Sequence, residues 1–208
     1  MENATKALEI AGGVLISLII IGTIVFFYNR ISEVKQTEHN TQAEEQAADF
    51  NKDYEVYNRN DVYGSELLSL ANQMQDYNTR EVEKGYEKIE LSATFKQKSN
   101  IFIQYYGNKQ TYSQSDLASG YTKLANEINK ISTKKITDAS GQTTKTYNEW
   151  VKISKTTLKS TLKTADYNSI INYQDLITEQ TNIARGTFRC TDVKYKNSRI
   201  VKMTFSEN

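Results

Sequence analysis

The stretch IAGGVLISLIIIGTIVFFY, residues 10–28, decides how this chain is organised. Its nineteen residues carry no charge, and Glu9 and Arg30 are the nearest charged residues on either side. As an α-helix the stretch reaches about 29 Å, the thickness of the hydrocarbon core of a bilayer. The remaining chain is much more polar. The sequence therefore predicts a transmembrane helix at residues 10–28, with the lipid bilayer as its partner.

A cleaved secretory signal is the alternative to a retained anchor. Such a signal begins with positive residues, has an apolar stretch of about 7–15 residues, and ends in a small-residue cleavage site. Here residues 1–9 contain two acids and one lysine, the apolar stretch is longer, and no A-x-A sequence ends it. Tyr28 and Arg30 suit the interface between lipid and water. We therefore predict a retained anchor behind a short tail, residues 1–9.

Small residues in the apolar stretch offer a packing surface for a second helix. Gly13 and Ser17 lie four residues apart, which places them on one helical face and lets another helix approach closely. The sequence therefore predicts that this helix can associate with a second copy.

Residues 29–58 contain neither glycine nor proline, so the helix is predicted to continue out of the membrane as a stalk. Its apolar and aromatic residues recur at steps of four and three, on one helical face: Ala43, Ala47, Phe50, Tyr54 and Tyr57. This spacing covers two heptads, whereas a coiled coil needs three or four. We predict that the end of the stalk packs onto the domain it carries; association between stalks is the alternative.

Residues 59–208 are predicted to form one small soluble α+β domain that combines helices with an antiparallel sheet. A helix follows Ser65, with Leu67, Leu70, Ala71 and Met74 on its apolar face and Asn78 at its end. Alternating apolar residues predict a strand, and spacing of three and four predicts a later helix. The strand carries Ile89, Leu91, Ala93 and Phe95, and the helix begins near Ser115 and carries Leu117, Tyr121, Leu124, Ala125 and Ile128.

The other segments of the domain are less uniform. IFIQYY, residues 101–106, predicts a second strand, and the stretch 134–145, with Gly141 and many threonines, predicts a loop. The pattern at 147–163 fits a strand or a helix, while 170–184 favours a helix stopped by a glycine. TFRCTDVKY and RIVKMTF flank a three-residue turn, which predicts a closing β-hairpin with Val201, Met203 and Phe205 on one face.

The residue inventory argues against most catalytic and metal chemistry. The lone histidine, His39, lies in the polar stalk, and the lone cysteine, Cys190, lies in a predicted strand, where a packed apolar role is favoured. The sequence has no phosphate-binding glycine loop, nucleophile elbow, EF-hand or multi-cysteine metal motif. Chemistry by two distant carboxylates is left open. We predict no catalytic residue, no metal site and no cofactor.

The charge balance points to neither nucleic acid nor a strongly charged partner. Lys and Arg number 26 against 25 Asp and Glu, so the net charge is +1. Positive residues near the apolar stretch are almost evenly divided between its two sides. Composition and family resemblance, rather than charge, favour an extracytoplasmic domain. No small-molecule ligand is inferred.

Three segments carry a resemblance to a group of proteins. MENATKALEIAGGVLI, FNKDYEVYNRNDVYGSELLSLANQMQDYN and FRCTDVKYKNSRIVKMTF resemble uncharacterised single-pass membrane proteins of Gram-positive bacteria. The resemblance implies a membrane topology and no particular chemistry. With it, we predict a surface protein with a structural or interaction role and no enzymatic activity.

The order of elements is also similar to that of type IV pilins and TadE-like pseudopilins. These proteins have an apolar amino-terminal helix, a stalk and a small head that contains a sheet. If processing followed Ala4, Glu9 would stand fifth in the processed chain, where the resemblance implies an acid that pairs with a neighbouring subunit. Ala4 and Thr5 depart from the residues usual at that cleavage site. A filament or secretion-apparatus subunit is therefore the alternative function.

Overall fold

The computed structural model describes residues 18–31, 44–80 and 87–208. The chain divides into two compact units, Met1–Phe50 and Asn51–Asn208, and we call the second unit the head. In the first unit, residues 18–31 and 44–50 are helical. Residues 10–17 of the predicted membrane helix lie outside the described residues. Within the described ranges, no helix is both long and apolar enough to cross a membrane.

The head contains a mixed five-stranded sheet, in the order β1-β6-β7-β2-β3. All neighbouring strands are antiparallel except β2 and β7, which are parallel. The strands of this sheet are β1 (Val62–Tyr63), β2 (Glu90–Thr94), β3 (Tyr112–Ser113), β6 (Thr187–Lys196) and β7 (Arg199–Glu207). Two further strands, β4 (Lys135–Thr137) and β5 (Thr144–Thr146), pair as a separate hairpin.

Six helices connect these strands within the described head: α1 (Gly64–Arg80), α2 (Asn100–Tyr106), α3 (Gln114–Ser132), α4 (Tyr147–Trp150), α5 (Lys155–Thr161) and α6 (Thr164–Arg185). Residues 51–55, which precede them, are also helical. Together with the antiparallel-rich sheet, they confirm the prediction of a mixed α+β fold.

The main core lies between one face of the sheet and the helices. Leu91 and Ala93 of β2, and Met203 and Phe205 of β7, are buried, whereas the residues between them are only half-buried. That alternation is typical of a sheet covered on one face and open to solvent on the other. The predicted apolar face of α1 is buried throughout, so these periodicity predictions are confirmed.

The structure corrects the prediction for IFIQYY. Residues 101–106 belong to helix α2, because Ser99 caps it by accepting a hydrogen bond from Phe102 N at 2.9 Å. Phe102 and Tyr106, four residues apart, both face the core. Short runs of aromatic and β-branched residues fit a strand and a buried helical turn equally well by periodicity, which is why the prediction was wrong.

The predicted loop at 134–145 is also wrong in part, because it contains the β4–β5 hairpin. Asp138 holds the turn by accepting hydrogen bonds from Ser140 Oγ, Gln142 N and Thr143 N. These hydrogen bonds, that of the Ser140 hydroxyl first, lower the pKa of Asp138. A second, smaller core forms behind this hairpin from Ile136, Trp150, Leu158, Leu162 and Ile170. Trp150 anchors that core by donating from Nε1 to Ile136 O at 3.0 Å.

Two glycines permit close approach between helices. A Cβ atom at Gly120 of α3 would lie 2.4 Å from the Tyr106 ring, and one at Gly64 would lie 1.7 Å from Ile183 O. Neither separation is sterically possible, so α3 can approach α2, and α1 can approach α6, only because these residues lack a side chain.

Side-chain amides join helices to the ends of strands. Asn51 donates from Nδ2 to Ser198 O at 2.7 Å and accepts from Ile200 N at 2.8 Å. Asn78 does the same with the carbonyl and amide of Ile89, at 2.7 and 2.8 Å. Each amide thus replaces a neighbouring strand for one residue. Asn78 was predicted to end α1, but the helix continues to Arg80 and uses Asn78 for this contact.

Asn51 also secures the closing hairpin, whose prediction is confirmed, although its turn has two residues and not the predicted three, because Lys196 belongs to β6 and pairs with Arg199. Asn197 and Ser198 form its turn with φ angles of 49° and 64°, as expected for a two-residue turn with a left-handed backbone. Asn51 is 7% exposed, so water cannot readily replace its side chain. Residues 51–55 fall in the range predicted as the stalk, but they belong to the head, and Asn51 joins them to the closing hairpin.

We predict that Asn51→Ala lowers the free energy of unfolding by about 1–3 kcal/mol, because the buried Ile200 amide loses its acceptor. Asn51→Asp, which keeps an acceptor but no donor, should have an intermediate effect. Urea unfolding of the detergent-solubilised chain measures both. Asn58→Ala is the matched control at an exposed position, and an equal loss in that variant would contradict the role given to Asn51.

Candidate functional site

A cleft with both apolar and polar walls lies at the carboxyl ends of the two parallel strands. β2 leads into Phe95, β7 ends at Glu207, and the chain beyond β2 turns into α2. A cleft of about 410 Å³ opens there, and we call it the strand-end cleft. In open sheets, the carboxyl ends of parallel strands are the usual place for a ligand, because the chain leaves them in loops that can surround it.

The floor of the strand-end cleft is aromatic. Phe95 lies with its ring centroid 4.7 Å from that of Phe102 and 5.1 Å from that of Phe188. Tyr106 stacks on Phe102 at 4.5 Å. All four rings are buried, and Phe95, Phe102 and Phe188 line the cleft together with Ile183.

The rim of the cleft is polar, and it is formed by Gln97, Lys98, Ser99, Glu179, Asn182 and Glu207. Three of these residues already have structural partners. Glu207 accepts from Lys96 N at 2.7 Å, Ser99 caps α2, and Lys98 donates to the carbonyl of Lys109. The oxygen of the Ser99 hydroxyl is an acceptor in this cap, for the amide of Phe102. The polar rim can orient a bound group, and the apolar floor of the cleft can bury one.

A second depression adjoins the first through Ser99. It has a volume of about 550 Å³ and lies among α2, α3 and α6; we call it the helix groove. Its apolar residues are Ile101, Tyr105, Ile131 and Leu176, all half-buried, with Glu127 and Asp175 beside them. Burial, then the charge of Glu127, raises the pKa of the Tyr105 phenol. The two depressions give the head a continuous concave region of aliphatic and aromatic side chains bordered by acids.

Among the described residues two buried side-chain polar atoms lack a hydrogen-bond partner, Gln174 Oε1 and the hydroxyl of Tyr106, and the second belongs to the aromatic cluster of the cleft. Tyr106 is 4% exposed, and its hydroxyl has no hydrogen-bond partner among the described residues. Burial raises the pKa of this phenol far above its ordinary value. Tyr112, in the same aromatic cluster, instead donates to Gly107 O at 2.9 Å and accepts from Lys109 N at 3.1 Å. The two buried tyrosines therefore differ in whether the hydroxyl has hydrogen-bond partners, so their stabilities on removal of that hydroxyl can be compared.

Of the five residues singled out from the sequence, four lie outside the described residues: Glu9, Gly13, Ser17 and His39. Cys190 is half-buried, and burial raises the pKa of its thiol, which disfavours the reactive thiolate. Across the described ranges, no cluster of three or more His, Cys, Asp or Glu residues could hold a metal ion.

Sequence reasoning missed the strand-end cleft because its walls come from residues far apart in the chain, at 95–102, 179–188 and 207. No motif links them. The one local signal was Ser99 ahead of a buried aromatic residue three positions later, which is a helix-capping arrangement.

Comparisons of the chain with protein-family models, with curated proteins and with solved structures find no match. The resemblance to membrane proteins of Gram-positive bacteria therefore stays a prediction from the quoted segments.

We predict that Tyr106→Phe keeps or raises the free energy of unfolding, by up to about 1 kcal/mol, because it removes an unsatisfied buried hydroxyl. Tyr112→Phe, which removes a hydroxyl with two partners, should lower it by about 1–2 kcal/mol. Urea unfolding of both variants tests the contrast. An equal loss in the two variants would mean that a bound water or ligand satisfies the Tyr106 hydroxyl.

Proposed function

We propose that the chain is a single-pass membrane protein that displays the head at the cell surface for a structural or interaction role. The observation that carries this proposal is the exposure of the helix at residues 18–31. Its large apolar side chains are more than half exposed, from 52% at Ile20 to 74% at Tyr28. In this account, residues 10–28 lie in lipid, residues 29–58 form the stalk, and the head follows.

The distribution of these side chains favours lipid over a protein partner. Leu18, Ile19, Ile20 and Ile21 are consecutive and therefore point in four directions around the helix, at about 100° intervals. A single partner helix or sheet covers only one stripe of such a helix. A bilayer surrounds the helix and covers every side, and the helix satisfies its own backbone hydrogen bonds there.

The energetics of insertion support the same account. Residues 10–28 contain twelve Leu, Ile, Val or Phe residues and no charge. Each such residue favours insertion by about 0.3–0.6 kcal/mol near the centre of a membrane helix. Their sum, several kcal/mol, is enough to hold the segment in the membrane.

The head supplies the interaction role in this proposal. The strand-end cleft and the helix groove give it a concave surface with an apolar floor and a polar rim, the usual composition of a binding site. We place the head outside the cytoplasm, following the composition and the family resemblance. The near-neutral net charge of +1 gives no attraction for nucleic acid.

Substitution of Ile21 and Val25 by arginine tests the membrane anchor. Each arginine near the centre of a membrane helix costs about 2.5–3.5 kcal/mol, so the double variant should move from the membrane fraction to the soluble or aggregated fraction. Glu44→Arg with Glu45→Arg, in an exposed helical segment, is the control that adds the same side chains. Carbonate washing followed by immunoblotting measures the distribution. Full retention of the Ile21/Val25 variant in the membrane would contradict the anchor.

A pilin-like or TadE-like subunit is the second candidate function, favoured by the position of Glu9 five residues after Ala4. In such a subunit the acid would pair with the amino terminus of a neighbouring copy, among Gly13, Ser17 and the apolar residues of packed helices.

Mass spectrometry of the mature amino terminus separates the two candidates. A simple membrane-anchored protein should begin at Met1, or at Glu2 after removal of the initiator methionine, because no leader peptidase has acted on it. A chain that begins at Thr5 would support the filament subunit instead, and Glu9→Gln should then reduce assembly.

A further inference from the structure

The outer edge of strand β6 is largely unpaired. β6 has ten residues, whereas β1, on its outer side, pairs only with Thr187 and Phe188. Cys190 N then donates to Arg59 O at 2.9 Å. Beyond Cys190, no other strand in the described part of the chain pairs with this edge. Residues 191–196 are exposed except for the half-buried Val193, so their backbone groups can accept a further strand.

Two charges at this edge, Asp192 and Lys194, have no ionic partner among the described residues of the head. Asp192 and Lys194 lie opposite Thr204 and Lys202 of β7, on the open face of the sheet. Neither forms an ion pair with another described residue. Other lysines of this hairpin do form ion pairs, since Lys202 pairs with Glu90 at 3.5 Å and Lys196 with Glu87 at 2.6 Å.

We propose that this edge pairs with the same edge of a second copy of the chain, antiparallel, about a two-fold axis at Val193. In this register Asp192 of each copy lies directly opposite Lys194 of the other, so two cross-strand ion pairs form. Opposite charges directly across two antiparallel strands stabilise the pairing, and like charges destabilise it. An edge lysine usually opposes strand addition. Here Asp192 lies two residues before Lys194 on the same face, so the lysine of one copy meets the aspartate of the other.

Neighbouring registers are worse. An axis at Asp192 or at Lys194 would place that residue opposite its own copy, with like charges in contact. In the register about Val193, residues 191–195 of one copy face residues 195–191 of the other, so most of the unpaired stretch 191–196 is used. Residues 192–194 pair regularly with β7 between two irregularities, one at Cys190/Asp192 and one at Lys194/Tyr195. The ladder is therefore regular where the axis passes.

The pairing would join two five-stranded sheets into one continuous sheet. A two-fold axis perpendicular to the sheet keeps the same face outward in both copies, so the helices stay on one side and the polar faces on the other. Such isologous pairing closes after two copies and leaves no further β6 edge. All residues involved belong to the head, so this pairing is independent of the proposed membrane anchor.

Disulfide trapping of the full chain in detergent tests the register. The variant Cys190→Ser with Val193→Cys carries one cysteine at the proposed axis, where the Cα atoms of facing residues lie about 4.5–5.5 Å apart, within the range that a disulfide spans. Mild oxidation should therefore convert most of it to a covalent dimer. Cys190→Ser with Lys202→Cys is the control, since Lys202 lies on β7, inside the sheet. The unaltered chain should form no covalent dimer under the same oxidation, because Cys190 lies opposite Lys196 of the other copy and not opposite a second cysteine.

Charge reversal in the Cys190→Ser, Val193→Cys background gives the second readout. Asp192→Lys or Lys194→Asp should lower the dimer yield about tenfold or more, because both ion pairs become like-charge contacts. The double reversal, Asp192→Lys with Lys194→Asp, should restore it. Circular dichroism checks that each variant is folded. Three results would each overturn the pairing: equal trapping at positions 193 and 202, no trapping at 193, or a dimer yield that does not change on charge reversal. The third result is the one expected if the copies associate only through the apolar helix.

Discussion

Strand β7 is the element on which the rest of the head depends. It is the central strand, antiparallel to β6 and parallel to β2, and its inward residues Met203 and Phe205 are fully buried. Each buried side chain of this size contributes about 1.5–3 kcal/mol. Because only one face of β7 is covered, all the main helices must gather on that face. The opposite face carries serine, threonine and charged residues.

Amide side chains give the helices their positions relative to this sheet. Asn51 and Asn78 each satisfy one backbone amide and one carbonyl at the end of a strand, and Gln114 accepts from Leu91 N at 3.0 Å. Apolar packing is not directional, whereas these hydrogen bonds tolerate little sliding. Gly64 and Gly120 then set how closely the helices approach. Packing supplies the stability, and the amides and glycines supply the register.

The strand order explains where the head can make contacts. The parallel pair β2–β7 brings two carboxyl ends together, and the strand-end cleft forms there above an aromatic floor. At the opposite side of the sheet, β1 is too short to cover β6, which leaves a charged edge with a self-complementary sequence. One topology thus produces both a concave surface for a partner and a flat edge for a second copy. An anchor in the membrane would confine both to two dimensions.

The sequence by itself determined the local features of this protein. The charge-free stretch 10–28 follows from its composition and length, and the apolar face of α1, the alternation in β2 and the closing hairpin follow from periods of about 3.6 or 2 residues and from turn chemistry. These signals are contained within a few neighbouring residues. The α+β class followed from them, whereas α2 and the β4–β5 hairpin did not. The sequences of these two elements are too short to show a clear period. The cap at Ser99 fixes the helical structure of α2, and the hydrogen bonds of Asp138 fix the turn of the β4–β5 hairpin.

Only the tertiary structure decided the strand order, the parallel pairing of β2 with β7, and hence the strand-end cleft and the free edge of β6. Glu207 and Lys96 meet although 111 residues separate them, and Asn51 reaches Ile200 across 149. Contacts of this kind leave no periodic mark in either segment. They depend on which apolar faces fit together when the whole chain is packed, and a single sequence does not encode that choice locally.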